Sequence, residues 1–221
     1  YSHLGLHGYW QSFILSGEAA RSSDGGQLAQ AGVKTRLGRL AVSATRAELD
    51  GFSGHLNDDH ADKAIAMIAK ARKTVVFGGG RERLQIMGFA MRLYHMGLNV
   101  AVEGDMTTPP VGKGDLFIVT VGPGEISTAL ALLGVAKQAG ASILVLTAQP
   151  KGRAAAFADF VLTIPAQTMA DDQGEKKSSV LPMGSLYEGA LFVLFEVMVL
   201  KIRDKLKIDP ETMRGNHTNL E

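Results

Sequence analysis

The stretch "VTVGPGEISTAL", residues 119–130, joins the end of an apolar strand to the start of a helix through a turn with two glycines and a proline. A second turn of this kind lies upstream in "VVFGGGRERLQIMGFAMRL", where residues 78–80 are three successive glycines. Glycines after a buried strand let the chain turn sharply and bring the next helix close to the sheet. The two turns therefore predict a repeated strand–turn–helix unit.

Short, continuous apolar runs recur along the rest of the chain. Such runs fit strands that are covered on both faces, as in a parallel sheet. Helical patterns alternate with them over residues 82–96 and 125–139, whereas the segment "KGRAAAFA" is short. This alternation predicts an α/β fold with a parallel sheet of βαβ units. The five predicted strands lie in "KTVVFG", "NVAVEG", "DLFIVTVG", "ASILVLTA" and "DFVLTIPA".

The two glycine turns predict the position of a binding site. In a sheet with the flavodoxin-like strand order 2-1-3-4-5, the winding reverses between the first and third strands, and ligands bind beyond their carboxyl ends. Residues 78–81 and 122–125 would then face each other. Each turn offers backbone N–H groups at a helix start, where the dipole favours an anion such as phosphate. The alternative is that the glycines serve only the turn and close helix packing.

Length and composition indicate one substantial core. A chain of 221 residues with 46% hydrophobic residues can form a single domain with an added arm. We predict that residues 1–32, rich in Gly and Ser, form an N-terminal arm or are a cloning remnant. Residues 33–221 then form one domain that ends in a tail, residues 207–221. Two helices are predicted at its start, over residues 33–56 and 60–72, with Asn57 or Asp59 as the N-cap of the second.

Several classes of partner are not expected. The 23 basic and 22 acidic residues are interspersed, which argues against nucleic acid. The most apolar stretch, residues 189–200, is too short to cross a bilayer, so no membrane partner is expected. The chain has no cysteine and no H-E-x-x-H, His-x-His or carboxylate cluster, and we predict no protein-bound metal. We expect a cytoplasmic protein.

Two carboxylates and two histidines stand out as candidate functional groups. The segment 184–206 is apolar on more than one face, which indicates a helix that is buried or shared with another subunit. Glu188 and Glu196 lie in it, and each needs a partner, a raised pKa or a function, with a salt bridge as the simple alternative. His95 lies at the end of the first crossover helix and His217 in the tail, where structural or solvated roles are the alternatives.

A dinucleotide site is a weaker alternative. Gly78 and Gly80 begin a G-x-G-x-x-G pattern, and Glu103, at the end of the second predicted strand, is placed to hold a ribose. The third glycine position is Arg83, however, where the helix must approach the strand most closely. A nucleotide-binding oxidoreductase is therefore the less favoured function.

The stretches "GGGRERLQIMGFAMRLYHMG", "DLFIVTVGPGEIST", "LPMGSLYEG" and "HTNLE" together resemble the SIS (sugar isomerase) domain family. The resemblance covers about residues 42–221 and is nearest to 6-phospho-3-hexuloisomerases and to sugar-isomerase-like SIS proteins of plants and bacteria. It implies a three-layer αβα sandwich with a five-stranded parallel sheet. It also implies an isomerase of a sugar phosphate or another anionic sugar, without a cofactor, working as a homodimer or homotetramer with active sites at subunit boundaries.

The resemblance also implies roles for individual residues. Glu188 matches a candidate catalytic Glu, and His95 and His217 match histidines of the family. Aldose–ketose isomerisation needs a carboxylate to move a proton between adjacent carbons through an enediol, with His assisting at the oxygens. The predicted catalytic residues are thus Glu188, His95 and His217. The predicted substrate-binding residues are Gly78, Gly80, Arg81, Gly122, Gly124, Glu125, Ser127, Thr128 and Thr147.

This sequence departs from the family at the expected anion site. Family loop hydroxyls fall here on Val121, Pro123 and Ile126, and the serine after Arg81 is replaced by Glu82. Pro123 removes a backbone N–H, and Glu82 would bring negative charge towards a dianion if it points inward. The expected function is a sugar isomerase. The alternative is a non-catalytic sugar-phosphate-binding or regulatory SIS protein.

Overall fold

The computed structural model describes residues 26–55 and 57–220. The chain divides into two units, residues 1–42 and 43–221. Helix α1, Gly26–His55, begins before residue 33, so it starts within the segment assigned to the arm. Its first turns are rich in Gln, Leu and Ala, which favour a helix without an apolar period. Residues 1–25 lie outside the described residues, and the predicted division at residue 32 stays a prediction.

The sheet has the predicted number, direction and order of strands. The strands are β1 Thr74–Gly78, β2 Val100–Val102, β3 Leu116–Thr120, β4 Ser142–Thr147 and β5 Phe160–Thr163. All five are parallel, in the order β2-β1-β3-β4-β5. The inner strands are almost wholly buried, whereas β2 and most of β5 are half-buried because they lie at the edges. The prediction of a strand covered on both faces therefore holds best for the inner three.

The helices follow the predicted alternation. Asn57 is the N-cap of the helix that begins at Asp58, because its side chain accepts a hydrogen bond from the His60 N–H. The segment "KGRAAAFA" forms only a short 3₁₀ helix, Arg153–Phe157, and a second one spans Gly174–Lys176. The remaining helices are α2 Asp58–Lys70, α3 Gly80–His95, α4 Ser127–Gln138, α5 Ser185–Leu206 and, within the tail, α6 Pro210–Gly215.

Two hydrophobic cores cover the two faces of the sheet. Alternate strand residues point to opposite faces, so Val76 and Ile118 join one core while Val75 and Val119 join the other. The first core includes α2, α3 and α5, and the second includes α4 and the helix Arg153–Phe157. The result is the three-layer αβα sandwich that the resemblance implied. Among the described residues, no helix combines the length and apolarity needed to cross a membrane.

The register of β1 and β3 brings the two glycine turns together. Gly78, the last residue of β1, pairs with Thr120, the last residue of β3. A Cβ atom on Gly78 would lie 2.9 Å from the backbone nitrogen of Arg83 and from Thr120 Cγ2. Only glycine allows α3 to approach the sheet this closely. Both turns therefore lie at the carboxyl edge of the sheet, as the strand order predicted.

Candidate active site

A cavity of about 450 Å³ opens beyond the carboxyl ends of β1 and β3. Its walls are the first turn of α3, the turn of residues 121–126 between β3 and α4 (the β3–α4 turn), a loop before α5 and the first turn of α5. The first turn of α5 contributes Tyr187 and Glu188. The other lining residues are 79–82, Pro123, Glu125, Ile126, 168–170, Met183 and Gly184.

The β3–α4 turn binds a carboxylate of the chain itself. The Gly122 N–H donates to both oxygens of Glu82, with N···O distances of 3.0 and 3.1 Å, and the Thr120 hydroxyl donates to Glu82 Oε2 at 2.7 Å. Glu82 is buried, with 8% of its surface exposed. The Glu82 side chain thus points inward. Its carboxylate accepts from the Gly122 N–H, the group that was predicted to bind a ligand anion.

The side chains of Tyr187 and Glu82 fill the space next to Gly122. Tyr187 is buried, and its hydroxyl lies 3.2 Å from the Thr120 hydroxyl. A Cβ atom on Gly122 would lie 2.9 Å from the Tyr187 ring and 3.0 Å from Glu82 Oε1. Gly122 is therefore needed because Tyr187 and Glu82 fill the space next to it.

The environment of Glu82 shifts its acidity. The pKa of Glu82 is raised from 4.5 to about 7, chiefly by burial and in smaller part by the negative charge of Glu188. The hydrogen bonds from Thr120 and Gly122 favour the ionised form and oppose this rise. Among the ion pairs of residues 39–55 and 57–220, none involves Glu82. A carboxyl group that titrates near neutral pH therefore lines the cavity.

Glu188 is held differently, by an ion pair with Arg81. Arg81 Nε lies 3.0 Å from both carboxylate oxygens of Glu188, and Arg81 Nη2 donates to the Met183 carbonyl at 2.8 Å. Burial raises the pKa of Glu188, while Arg81 opposes the rise. Met183 and Gly184 both have left-handed backbone angles, with φ of 54° and 78°, which turn the Met183 carbonyl towards Arg81. The carboxylate is thus fixed in orientation at the cavity wall.

The third carboxylate of the cavity also has a basic partner. Glu125 is exposed, and Arg153 Nη1 lies 2.6 Å from its Oε1. The cavity therefore carries Glu125 and Glu188 as ion pairs, and Glu82 as a carboxylate whose hydrogen bonds come from neutral donors.

Several predicted substrate-binding residues serve the turn rather than the cavity wall. The Gly124 N–H donates to the Val121 carbonyl at 2.9 Å, and the buried Thr147 hydroxyl donates to the Gly122 carbonyl at 3.2 Å. Ser127 and Thr128 are exposed at the start of α4. Of the predicted substrate-binding residues, the cavity wall includes Gly80, Arg81 and Glu125 and leaves out Gly78, Gly122, Gly124, Ser127, Thr128 and Thr147.

The two predicted catalytic histidines lie together but away from the cavity. Their ring centroids are 5.0 Å apart, with His95 buried and His217 exposed. His95 ends the 16-residue helix whose first turn lines the cavity, so it lies roughly 22 Å along the helix axis from Gly80. Within one chain, the structure does not bring His95 or His217 next to Glu188.

Two residues that contact Glu82 or its hydrogen-bond partners, Tyr187 and Thr120, were not predicted as site residues. Thr120 ends an otherwise apolar strand that pairs with the strand before the other glycine turn, and this position was a usable signal. Tyr187 had no comparable signal, because the direction of its side chain depends on how α5 packs.

Within residues 26–55 and 57–220, no three His, Asp or Glu side chains are grouped so that they could hold a metal ion.

Comparison with known proteins gives the class of this chain. Residues 67–191 match the SIS domain family. The chain is 33% identical over 174 residues to the 3-hexulose-6-phosphate isomerase of Bacillus subtilis, an alignment that covers 79% of this chain and 94% of that protein. It is 34% identical over 180 residues to the enzyme of the same name from Mycobacterium gastri, covering 81% and 89% of the two chains.

A solved structure agrees with this assignment. It is the crystal structure of a hypothetical protein of Methanococcus jannaschii, for which a function as 3-hexulose-6-phosphate isomerase was inferred. It is 28% identical, covers 82% of this chain and 97% of its own, and has a TM-score of 0.69. The protein belongs to the SIS domain family, and its fold is the one that the sequence predicted.

Proposed function

We propose that this protein is an aldose–ketose isomerase that acts on a sugar derivative. The observation that carries the proposal is the Glu188 carboxylate, held by Arg81 at the wall of a cavity at the switch point of the sheet. The relatives named 3-hexulose-6-phosphate isomerase support this class of reaction. Their names also favour the phosphorylated or otherwise anionic sugar that the sequence predicted.

In the proposed mechanism, Glu188 is the base. It takes a proton from the carbon next to the carbonyl group, an enediol forms, and the proton returns to the neighbouring carbon. Burial and the raised pKa of Glu188 suit a group that must both take and give a proton. Arg81 holds the carboxylate in one orientation and places a positive charge near the developing enediolate.

Proton transfer at the sugar oxygens is proposed to need a second copy of the chain. Among the residues that line the cavity, none is a histidine, and His95 and His217 lie at the far end of α3. We therefore propose a homodimer or homotetramer in which a histidine of a neighbouring copy, such as His217, completes the site.

Solvent exchange tests this function directly. Purified protein is incubated in D₂O with ketose phosphates and the corresponding free ketoses, and deuterium at the carbons next to the carbonyl group is measured by NMR. We expect incorporation into at least one sugar even where net conversion is slight. Absence of exchange into every sugar of both panels would contradict the isomerase proposal.

A second candidate is a non-catalytic sugar-binding or regulatory SIS protein. The absence of histidine from the described cavity wall favours it. It predicts ligand-dependent thermal stabilisation without solvent exchange, and a ligand at about 100 times its Kd should add about 2.7 kcal/mol to the free energy of unfolding. A thermal-shift series with the same sugars, run beside the exchange experiment, separates the two candidates.

A further inference from the structure

We infer that Glu82 is a specificity-determining residue that excludes phosphate from the β3–α4 turn, so that an uncharged, hydroxyl-bearing part of the ligand lies there. The inference rests on the proposed function only for the view that the ligand is a sugar derivative. It leaves a charged group on the ligand free to lie elsewhere in the cavity.

The first argument concerns hydrogen-bond donors. The Gly122 N–H and the Thr120 hydroxyl both donate to Glu82. Pro123 has no N–H, and the Gly124 N–H donates to the Val121 carbonyl. Residues 122–124 therefore have no backbone N–H left for a phosphate oxygen, although a glycine-rich turn before a helix would ordinarily supply several.

The second argument concerns charge. Glu125 and Glu188 are each paired with an arginine, whereas the described ion pairs give Glu82 no basic partner. A phosphate dianion at this turn would meet the Glu82 carboxylate in a buried place, where salt and water screen charges weakly. Binding there would need either loss of the Glu82 charge or removal of its side chain from the turn.

The third argument concerns what fits in place of phosphate. Glu82 lines the cavity, and an ionised carboxylate only accepts hydrogen bonds. Sugar hydroxyl groups can donate, and a hydrogen bond to an ionised acceptor is stronger than one between neutral groups. With Glu82 bound to it, the turn thus favours a ligand group that donates a hydrogen bond, such as a hydroxyl. A glycine-rich turn with free N–H groups would favour an anion.

The test measures binding of inorganic phosphate by isothermal titration calorimetry at pH 8. Glu82→Ser removes the carboxylate and frees the Gly122 N–H, and Glu82→Gln removes only the charge. We expect the Ser variant to bind phosphate at least about tenfold more tightly than the wild type, the effect of removing one poorly screened charge. Glu175→Gln removes an exposed carboxylate outside the cavity wall and should change phosphate affinity by less than about threefold.

A wild-type protein that binds phosphate as tightly as the Glu82→Ser variant would overturn the inference, as would equal gains in the Glu82→Ser and Glu175→Gln variants. If the Ser variant fails to fold by near-UV circular dichroism, the nearly isosteric Gln variant decides, with a gain over wild type expected. Solvent exchange into the two panels of ketose phosphates and free ketoses is measured separately. Absence of exchange into every sugar of both panels would contradict the isomerase proposal, while the phosphate titration would still decide the role of Glu82.

Discussion

The carboxylates of Glu82 and Glu188 line one cavity but have different hydrogen-bond partners, and this affects their pKa values. Glu188 has a guanidinium partner, and Glu82 has only a backbone N–H and a hydroxyl. The pKa of Glu82 therefore rises to about 7, since neutral donors offset only part of the cost of burying its charge. Each residue leads to its own prediction.

The first prediction concerns the pH dependence of stability. Because the folded pKa of Glu82 lies above its ordinary value of 4.5, its contribution to stability is fully present below about pH 4.5 and is lost as the pH rises through about 7. The loss should reach up to about 3 kcal/mol, and Glu82→Gln should abolish it and stabilise the fold at pH 8. Urea unfolding at pH 5 and pH 8 measures both effects.

The matched control for this measurement is Glu175→Gln, which removes an exposed carboxylate away from the cavity. It should keep the wild-type decline between the two pH values. The same decline in Glu82→Gln and wild type would show that Glu82 does not titrate in this range.

The second prediction concerns the base. Glu188→Gln keeps the shape of the side chain but removes the proton acceptor, so solvent exchange should fall by at least about 100-fold. The free energy of unfolding should change by less than about 1 kcal/mol, because Arg81 is half exposed in this ion pair. Exchange is followed by NMR and stability by urea unfolding.

Glu196→Gln is the control for the base. Glu196 lies on the same helix as Glu188 but outside the cavity wall. Its carboxylate lies 3.5 Å from Arg92 Nη2, which confirms the predicted salt bridge. Retained exchange in Glu188→Gln would remove Glu188 from the mechanism.

At the scale of elements, the start of α5 depends on one glycine. Gly184 is the N-cap of α5 with φ of 78°, and a Cβ atom there would lie 2.9 Å from the Met169 backbone nitrogen. Gly184→Ala should lower the free energy of unfolding by about 1–3 kcal/mol, since it adds both strain and a clash with the loop that lines the cavity. Thermal and urea unfolding measure this loss.

A glycine inside α3 gives the opposite control. Gly88 lies within the helix, and a Cβ atom there would have no neighbour within 4 Å. Gly88→Ala should therefore stabilise the protein by about 0.5–1 kcal/mol through helix propensity. Equal destabilisation by both substitutions would contradict the assigned role of Gly184.

Another prediction at this scale concerns the exposed apolar face of α3. Leu84, Met87, Met91 and Tyr94 are exposed and three or four residues apart, so they lie along one side of the helix. An apolar stripe of this length is normally covered by another surface. We expect the cover to be a second copy of the chain, and sedimentation should show at least a dimer at micromolar concentration.

Charge on the stripe tests this assembly. Met87→Glu combined with Met91→Glu should shift the protein towards monomer, because a carboxylate is costly to bury at an interface. The control combines Glu175→Gln with Glu211→Gln, which changes charge on exposed residues outside the stripe. A wild-type protein that sediments as a stable monomer would contradict the prediction and the shared site with it.

At the scale of the whole molecule, the sheet brings together chain segments that are distant in sequence. Arg81 and Glu188 are 107 residues apart, and Gly122 lies 40 residues from Glu82. Their contacts follow from β1 and β3 being neighbours and from α5 packing on α3, where Phe89 stacks on Phe195 at 4.4 Å. One cavity is therefore built from three separate parts of the chain.

The sequence by itself predicted a five-stranded parallel sheet, and the structure has it in the flavodoxin-like order. The two predicted glycine turns lie at its carboxyl edge, where the cavity opens. Continuous apolar runs, glycine turns and helical periods are local patterns, and a parallel sheet has few ways to connect them. The first helix was predicted to begin at residue 33, but it begins at Gly26. Its first turns have residues that favour a helix but lack the apolar period on which the prediction relied.

Only the tertiary structure shows that the Glu82 carboxylate lies at the β3–α4 turn. The residue types around Glu82 left open whether its side chain points inward, and only the packing of Tyr187 and the register of β1 with β3 bring its carboxylate to the Gly122 N–H. Packing likewise placed His95 and His217 far from Glu188 within one chain. Local spacing fixes which elements form, but the direction and neighbours of a side chain depend on contacts between elements that are distant in sequence.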